Sequence, residues 1–399
     1  MRTITRKITP IGITLLFIAL AIFVVVWYRN RPDASVPLVF SDKSMMESLW
    51  DKYKLSTLEP GTNRTLNKQQ GNITTSEGES YTMFRAVMMD DQGTFDASYK
   101  WTNDILKHQN DHLFSWLFGE RPDGTYGVLT AQGGGNSASD ADSDIALSLV
   151  FAYDRWHQDS YKDDALAIIN DIWSKEVVTI KGVPYLTANN VEKITSQKVI
   201  VDPSYFSPYA YRIFSKIDPA HPWMDLVDSS YDVLNATTIS RLDKSSSADL
   251  PPDWIVIDKT TGVISAPTTE NLTTNFGFDA LRVPWRIALD YEWNKEPRAK
   301  AYLDQLSFLG KEWRKNKKID TSYSHDGTVL DGMEAPAMYG GIIGYFMVSD
   351  PKDAADVYAT KLKALFNPDT NDWKKPLGYY DDNWAWLGIG LYNNLIQPL

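Results

Sequence analysis

About twelve separate stretches between residues 41 and 395 place apolar residues at i, i+3, i+4 and i+7, the spacing of one buried helix face. They begin with SDKSMMESLWDKYKL, SYTMFRAVMM and FDASYKWTNDILKHQ, and end with APAMYGGIIGYFMV, AADVYATKLKALF and NWAWLGIGLYNNL. Each such helix must bury its stripe against a neighbour, and a dozen in succession invite six helical hairpins closed into a toroid. Two segments break the pattern. LPPDWIVIDKTTGVISAP carries two β-rich runs around DKTTG, and KEVVTIKGVPYLT carries another pair, so both predict hairpins. The Ser- and Pro-rich KSSSADLPPD is a surface loop, because helical patterns resume beyond it. The expected fold is therefore all-α with minor β-hairpins, in one domain over 41–399. With no cysteine, it has neither a disulfide frame nor a thiolate metal site and must stand on packing alone.

The first residues, MRTITRKITPIGITLLFIALAIFVVVWYRNRPD, are different in kind. Three basic residues precede an apolar stretch from Ile11 to Tyr28, and roughly 18 residues suffice to span a hydrocarbon core. Trp27 and Tyr28 suit the interface, and no small-x-small cleavage site follows. Residues 1–28 are expected to be a retained signal anchor and 29–40, with Pro32 and Pro37, a stalk. The basic flank favours the cytoplasmic side for the N-terminus, which would set the large domain outside the cell membrane.

A net charge of -11 without a basic run excludes a nucleic-acid backbone as partner and fits a neutral polymer. The 14 Trp and 21 Tyr suit stacking on sugar rings as well as helix packing.

Chemistry concentrates at ASDADSDIALSLVFAYDRW, where Asp140, Asp142 and Asp144 open an apolar helix. A calcium loop starting at Asp140 would need Gly at its sixth position and Glu at its twelfth, where Ile145 and Phe151 stand. A metal-binding Asp-x-Asp of a glycosyltransferase belongs at a strand end of an α/β sheet, not at a helix start. Capping accounts for one aspartate and leaves the others without work. Elsewhere, TTSEGESYTMFRAV sets Glu77 in a Ser-Glu-Gly turn, with Ser76 and Glu79 spaced as a capping box. NFGFDALRVPWRIALDYEW opens a third helix with Asp279, followed by Arg282 and Arg286. A toroid would bring these helix starts to one end of its central cleft. Paired carboxylates flanking a bond are the usual equipment for glycoside hydrolysis.

These segments resemble glycoside hydrolase family 8, the bacterial endoglucanase- and xylanase-like enzymes. ASDADSDIALSLVFAYDRW matches the family signature, TSEGESYTM its acid motif and FDALRVPWR its base motif, with PSYF, LPPDW and GYYDDN following the same order over residues 42–395. The resemblance implies an (α/α)6 barrel and an inverting mechanism, with Glu77 as general acid and Asp279 as general base. Asp140 would grip the sugar between them. Tyr205, Arg282 and Tyr380 would bind substrate or orient water, and Trp116 would be a stacking platform. An aspartate kept at position 279 favours the cellulase and xylanase branch, with a β-1,4-glucan as the expected substrate. A xylanase, a reducing-end exo-oligoxylanase and a non-catalytic glycan-binding protein are the alternatives. Two departures, the Gly-rich approach to the signature and DDNWAWLGIG, would border the cleft and leave endo or exo action open.

His108 and His112 have metal-ligand spacing, but HQNDH lacks the adjacent Glu of a zinc peptidase, so both are read as surface or packing residues. No cofactor, metal or nucleic acid is expected, and the chain is expected to be a monomer.

Overall fold

The computed structural model describes residues 42–195 and 197–399. The expected anchor and stalk lie outside the described residues. Among the described residues no helix is long and apolar enough to cross a membrane.

Six helices form an inner layer: α2 (Ser76–Met88), α4 (Ser139–Trp156), α6 (Pro208–Ile217), α8 (Arg282–Asn294), α11 (Pro336–Ser349) and α13 (Tyr379–Tyr392). Each of the first five packs on the next in this order. Side chains join the last to the first: Arg85 of α2 donates to Asp382 Oδ1 at 2.9 Å and Asn383 Oδ1 at 3.0 Å, and Tyr81 meets Trp384 edge to face. The outer partners are α1 (Lys43–Thr57) on α13, α3 (Gln92–Ile105) on α2, α5 (Asp159–Asp171) on α4, α7 (Trp223–Ile239) on α6, α9 (Pro297–Gln305) on α8 and α12 (Pro351–Val357) on α11. PRAKAYLDQLSFLGKEW, expected as one helix, breaks at Leu306 (φ -71, ψ 37) into α9 and α10 (Ser307–Asn316).

Most of the inner helices are buried on nearly all sides because they touch neighbours in both layers, while α6 buries one face. Much of the aromatic content serves this core: Trp285 packs against Phe84, Tyr209 and Trp384, and Trp223, Trp313, Trp384 and Trp386 are fully buried.

Short strands lie in the connections between helices. Thr74–Thr75 (β1), Leu117–Glu120 (β2) and Tyr126–Val128 (β3) make one antiparallel sheet, with Thr75 opposite Leu117. The two expected hairpins are present as Val177–Ile180 (β4) with Val183–Leu186 (β5), and Ile255–Asp258 (β7) with Ile264–Ser265 (β8). The second gains an unanticipated partner in Lys198–Val201 (β6), whose Val201 pairs with Ile255. That pairing sets Asp202 beside Trp254, and both chains then run straight into the site.

Candidate active site

Glu77 stands in the first turn of α2, at the end of β1. The N-cap of this helix is Thr75, whose hydroxyl accepts from Gly78 N at 3.0 Å. The expected Ser76–Glu79 capping box does not form. Glu79 is buried and accepts instead from Thr65 N at 2.7 Å and Ser98 Oγ at 2.6 Å, joining a loop to α3. Gly78 is required by close approach: a Cβ there would lie 3.0 Å from the Tyr379 hydroxyl, which donates to Glu77 Oε1 at 2.9 Å.

The three aspartates of the signature separate into three tasks, none of them the side-chain N-cap, since the cap position is Ala138. Asp140 Oδ2 accepts from Arg282, Asp142 Oδ1 accepts from Phe114 N at 3.0 Å, and Asp144 forms a two-pronged pair with Arg286. Asp279 lies in the turn leading into α8 rather than in its regular part, which begins at Arg282.

Arg282 is the hub. Its side chain is 2% exposed, and its Nη1 donates to Glu77 Oε2 and Asp140 Oδ2, both at 3.0 Å. Its Nη2 donates to Asp279 Oδ1 at 2.7 Å and Asp202 Oδ2 at 3.1 Å, and its Nε to Ser204 Oγ at 3.0 Å. One planar guanidinium thus fixes carboxyls from four parts of the chain. Its own width and two hydrogen bonds keep the bonded oxygens of Glu77 and Asp279 within about 8 Å of each other.

One cation cannot neutralise four clustered carboxylates, of which Asp140 and Asp202 are buried, so the cluster favours bound protons. Loss of water around Glu77 pushes its carboxyl up to about 7; Arg282 opposes the rise, and the charges of Asp140 and Asp279 add to it. Burial likewise raises Asp140, against the pull of Arg282 and Arg286. Asp202, wholly enclosed, is held well above the carboxylate range by burial and then by Asp279. Asp279 is the open member, 35% exposed, and its Oδ2 accepts from Trp254 Nε1 at 3.0 Å.

The remaining expected residues surround this cluster. Tyr205 lies under Arg282, ring centre 5.1 Å from the guanidinium carbon, and meets Trp254 edge to face. Tyr380 lies beside the carboxyls without a hydrogen bond to them; its hydroxyl donates to Phe278 O at 2.5 Å and its ring packs on Phe278, bracing the residue before Asp279. Trp116 lines a neighbouring part of the cleft, its indole N–H held by Gly133 O at 3.0 Å, so the Gly-rich approach fixes that ring. Glu77, Asp279 and Tyr380 line one chamber of about 510 Å³ and Trp116 a second of about 470 Å³; Thr75 and Gln70 belong to both.

Asp202, Tyr379 and Trp254 were not singled out in the sequence. Each lies in or beside a recognisable motif, PSYF, GYYDDN or LPPDW, but nothing in local spacing says which side chain turns inward. The two histidines do not converge: His108 pairs with Asp111 and His112 with Asp171. Among the described residues no group of His, Asp and Glu is arranged to hold a metal ion.

Comparison with known proteins identifies the family. Over residues 33–343 the chain matches the model of glycosyl hydrolases family 8. It is 29% identical over 305 residues to Endoglucanase 2 of Ruminiclostridium josui, a match covering 74% of this chain and 60% of that protein. The match spans 60% of that protein's length, and 58% and 63% of Endoglucanase C of Ruminiclostridium cellulolyticum and Endoglucanase A of Acetivibrio thermocellus. Among solved structures, a β-1,3-1,4-glucanase from Paenibacillus sp. X4 superposes with a TM-score of 0.74 at 22% identity, covering 89% of this chain and 93% of that one. A cold-adapted family 8 xylanase superposes with a TM-score of 0.71 at 17% identity, covering 89% and 92%. Motifs, packing and the extent of the family match lead to one conclusion: this chain belongs to glycosyl hydrolase family 8.

Proposed function

We propose that the chain is an inverting glycoside hydrolase acting on a β-1,4-linked glucan within an (α/α)6 toroid. The carrying observation is that one guanidinium holds Glu77, Asp140 and Asp279 at one end of the cleft, with the Glu77 carboxyl titrating near 7 and Asp279 the most open.

In this reading Glu77 is the general acid. Protonated at neutral pH, it gives its proton to the glycosidic oxygen as the bond to the anomeric carbon breaks. Asp279, held by Trp254 and Arg282, takes a proton from a water that attacks the opposite face of that carbon. The products are one chain with a free hydroxyl and one with an inverted anomeric centre. The bound of about 8 Å on the bonded oxygens is compatible with the ~6.5–9.5 Å that lets a water stand between acid and base. Asp140 would hold the sugar at the cleavage point, Trp116 would stack on a neighbouring ring, and Tyr205, Arg282 and Tyr380 would keep the walls in place. The glucan is favoured by the endoglucanase named among the relatives. The apolar stretch 11–28 supports a membrane-anchored domain facing outward, testable by whether the protein resists alkaline extraction from membranes.

The deciding experiment measures reducing-sugar release by the full chain from carboxymethylcellulose, mixed-linkage glucan, xylan and chitosan, beside Glu77→Gln. The expected result is release from the glucans that falls by about 10²–10⁴-fold in the variant, with an inverted first product by NMR. Release from xylan alone would move the substrate. A retained anomer would overturn the mechanism, and binding without turnover, unaltered in the variant, would favour a glycan-binding role.

A further inference from the structure

The catalytic layer has a second layer beneath it. Glu77, Asp140, Arg282 and Tyr380 are each followed four positions on, one turn deeper along the same inner helix, by Tyr81, Asp144, Arg286 and Trp384. These four, with Tyr209 of α6 and the apolar Phe84, Trp285 and Leu387, help to line a small pocket of about 20 Å³ among buried residues. Arg286 is 1% exposed, and its two Nη groups bond Asp144, with Ser207 Oγ and Tyr209 Oη as further acceptors. Among the described residues its Nε finds no partner, nor does Trp384 Nε1 (residue 1% exposed) or the Tyr81 hydroxyl (4%).

Three orphaned polar groups on residues that line one pocket are costly to leave unmet. Their chemistry also selects the occupant. Arg286 Nε–H and Trp384 Nε1–H only donate, which rejects a cation, while the neighbouring Asp144 carboxylate rejects an anion. The Tyr81 hydroxyl both donates and accepts. A small neutral molecule with both capacities is required, and the volume is that of a single water, which needs about 10–15 Å³ and two to four polar partners.

We infer that this cavity is a built-in water site, in which one ordered water accepts from Trp384 Nε1 and Arg286 Nε and hydrogen-bonds the Tyr81 hydroxyl. The water ties α2, α8 and α13 together one turn below Glu77, Arg282 and Tyr380. Tyr81 and Trp384 thereby become positioning residues for the layer above, a role that rests on the proposed function.

Two measurements test it. A diffraction map from crystals of the full chain, at a resolution that shows ordered water, should place a peak within hydrogen-bond distance of all three atoms; no peak there overturns the site. Trp384→Phe and Tyr81→Phe each keep a ring and drop one partner. With near-UV circular dichroism like the parent's, both should lower kcat on a soluble glucan by about tenfold while KM stays within about twofold, as expected when reacting groups lose their alignment. Unchanged kcat in both overturns the positioning role. If the parent chain hydrolyses nothing, the proposed function fails while the diffraction map still decides the water site.

Discussion

At the scale of single residues, the site is a problem in how many charges one arginine can hold. Arg282 meets four carboxyls, and the proton that this crowding forces onto the cluster is the one an acid catalyst needs. Burial contributes most to raising Glu77, with the Asp140 charge a further contribution. Activity should therefore fall as pH rises through about 7, where Glu77 loses its proton. Asp140→Asn removes a like charge and should move that basic limb of kcat/KM to lower pH. A basic limb that stays in place, in a profile measured on a glucan oligomer, would leave burial and the Asp279 charge as the causes. The motif order in the sequence already pointed to Glu77, Asp140 and Asp279 as acids meeting in a cleft. It did not disclose Asp202 or Tyr379, because those contacts join residues 80 and 302 positions apart, where no periodicity operates.

At the scale of elements, α11 shows how the inner layer is drawn together. Its sequence PAMYGGIIGYFMVS is apolar all round, as expected for a helix with neighbours on every side. Its glycines are the contact points: a Cβ on Gly340 would stand 1.9 Å from Trp384 O of α13, and one on Gly344 would stand 2.4 Å from Pro284 O of α8. Backbone cannot yield as a flexible side chain can, so the helices would have to separate. Gly340→Ala should cost about 3 kcal/mol or more despite the better helix propensity of alanine. Urea denaturation of the full chain would show it, and a loss below about 1 kcal/mol would mean that α11 and α13 slide without penalty. Because Trp384 also lines the internal cavity, the same change should lower activity.

At the scale of the whole molecule, buried carboxyl groups are not confined to those that Arg282 holds. Burial raises Glu79 to about 7, Glu176 to about 8 and Asp253 to about 8, the last two with neighbouring acids contributing. In the unfolded chain such groups ionise near 4, so between about pH 4 and 8 the folded protein holds more protons than the unfolded one. Stability from these groups is full below about pH 4 and is lost as pH rises through 7 and 8. Denaturation midpoints should therefore be higher at pH 5 than at pH 8. Glu176 shares a side-chain hydrogen bond with Asp142; Glu176→Gln can keep it without titrating and should flatten the difference, and an unchanged slope would assign it to other groups.

Taken by itself, the sequence determined the element types, the two hairpins and the identity of three acids at or beside helix starts. Those follow from local periodicity, turn chemistry and motif order, all written within a few residues of one another. Only the tertiary structure decided that Arg282 joins the acids and that Asp142 and Asp144 work elsewhere. It also turned Glu79 from a helix cap into a buried link between a loop and α3, and the β6–β7 pairing brought Asp202 beside Trp254. These outcomes depend on which helix ends converge, and a side chain's protonation and partners are set by that convergence rather than by its neighbours along the chain.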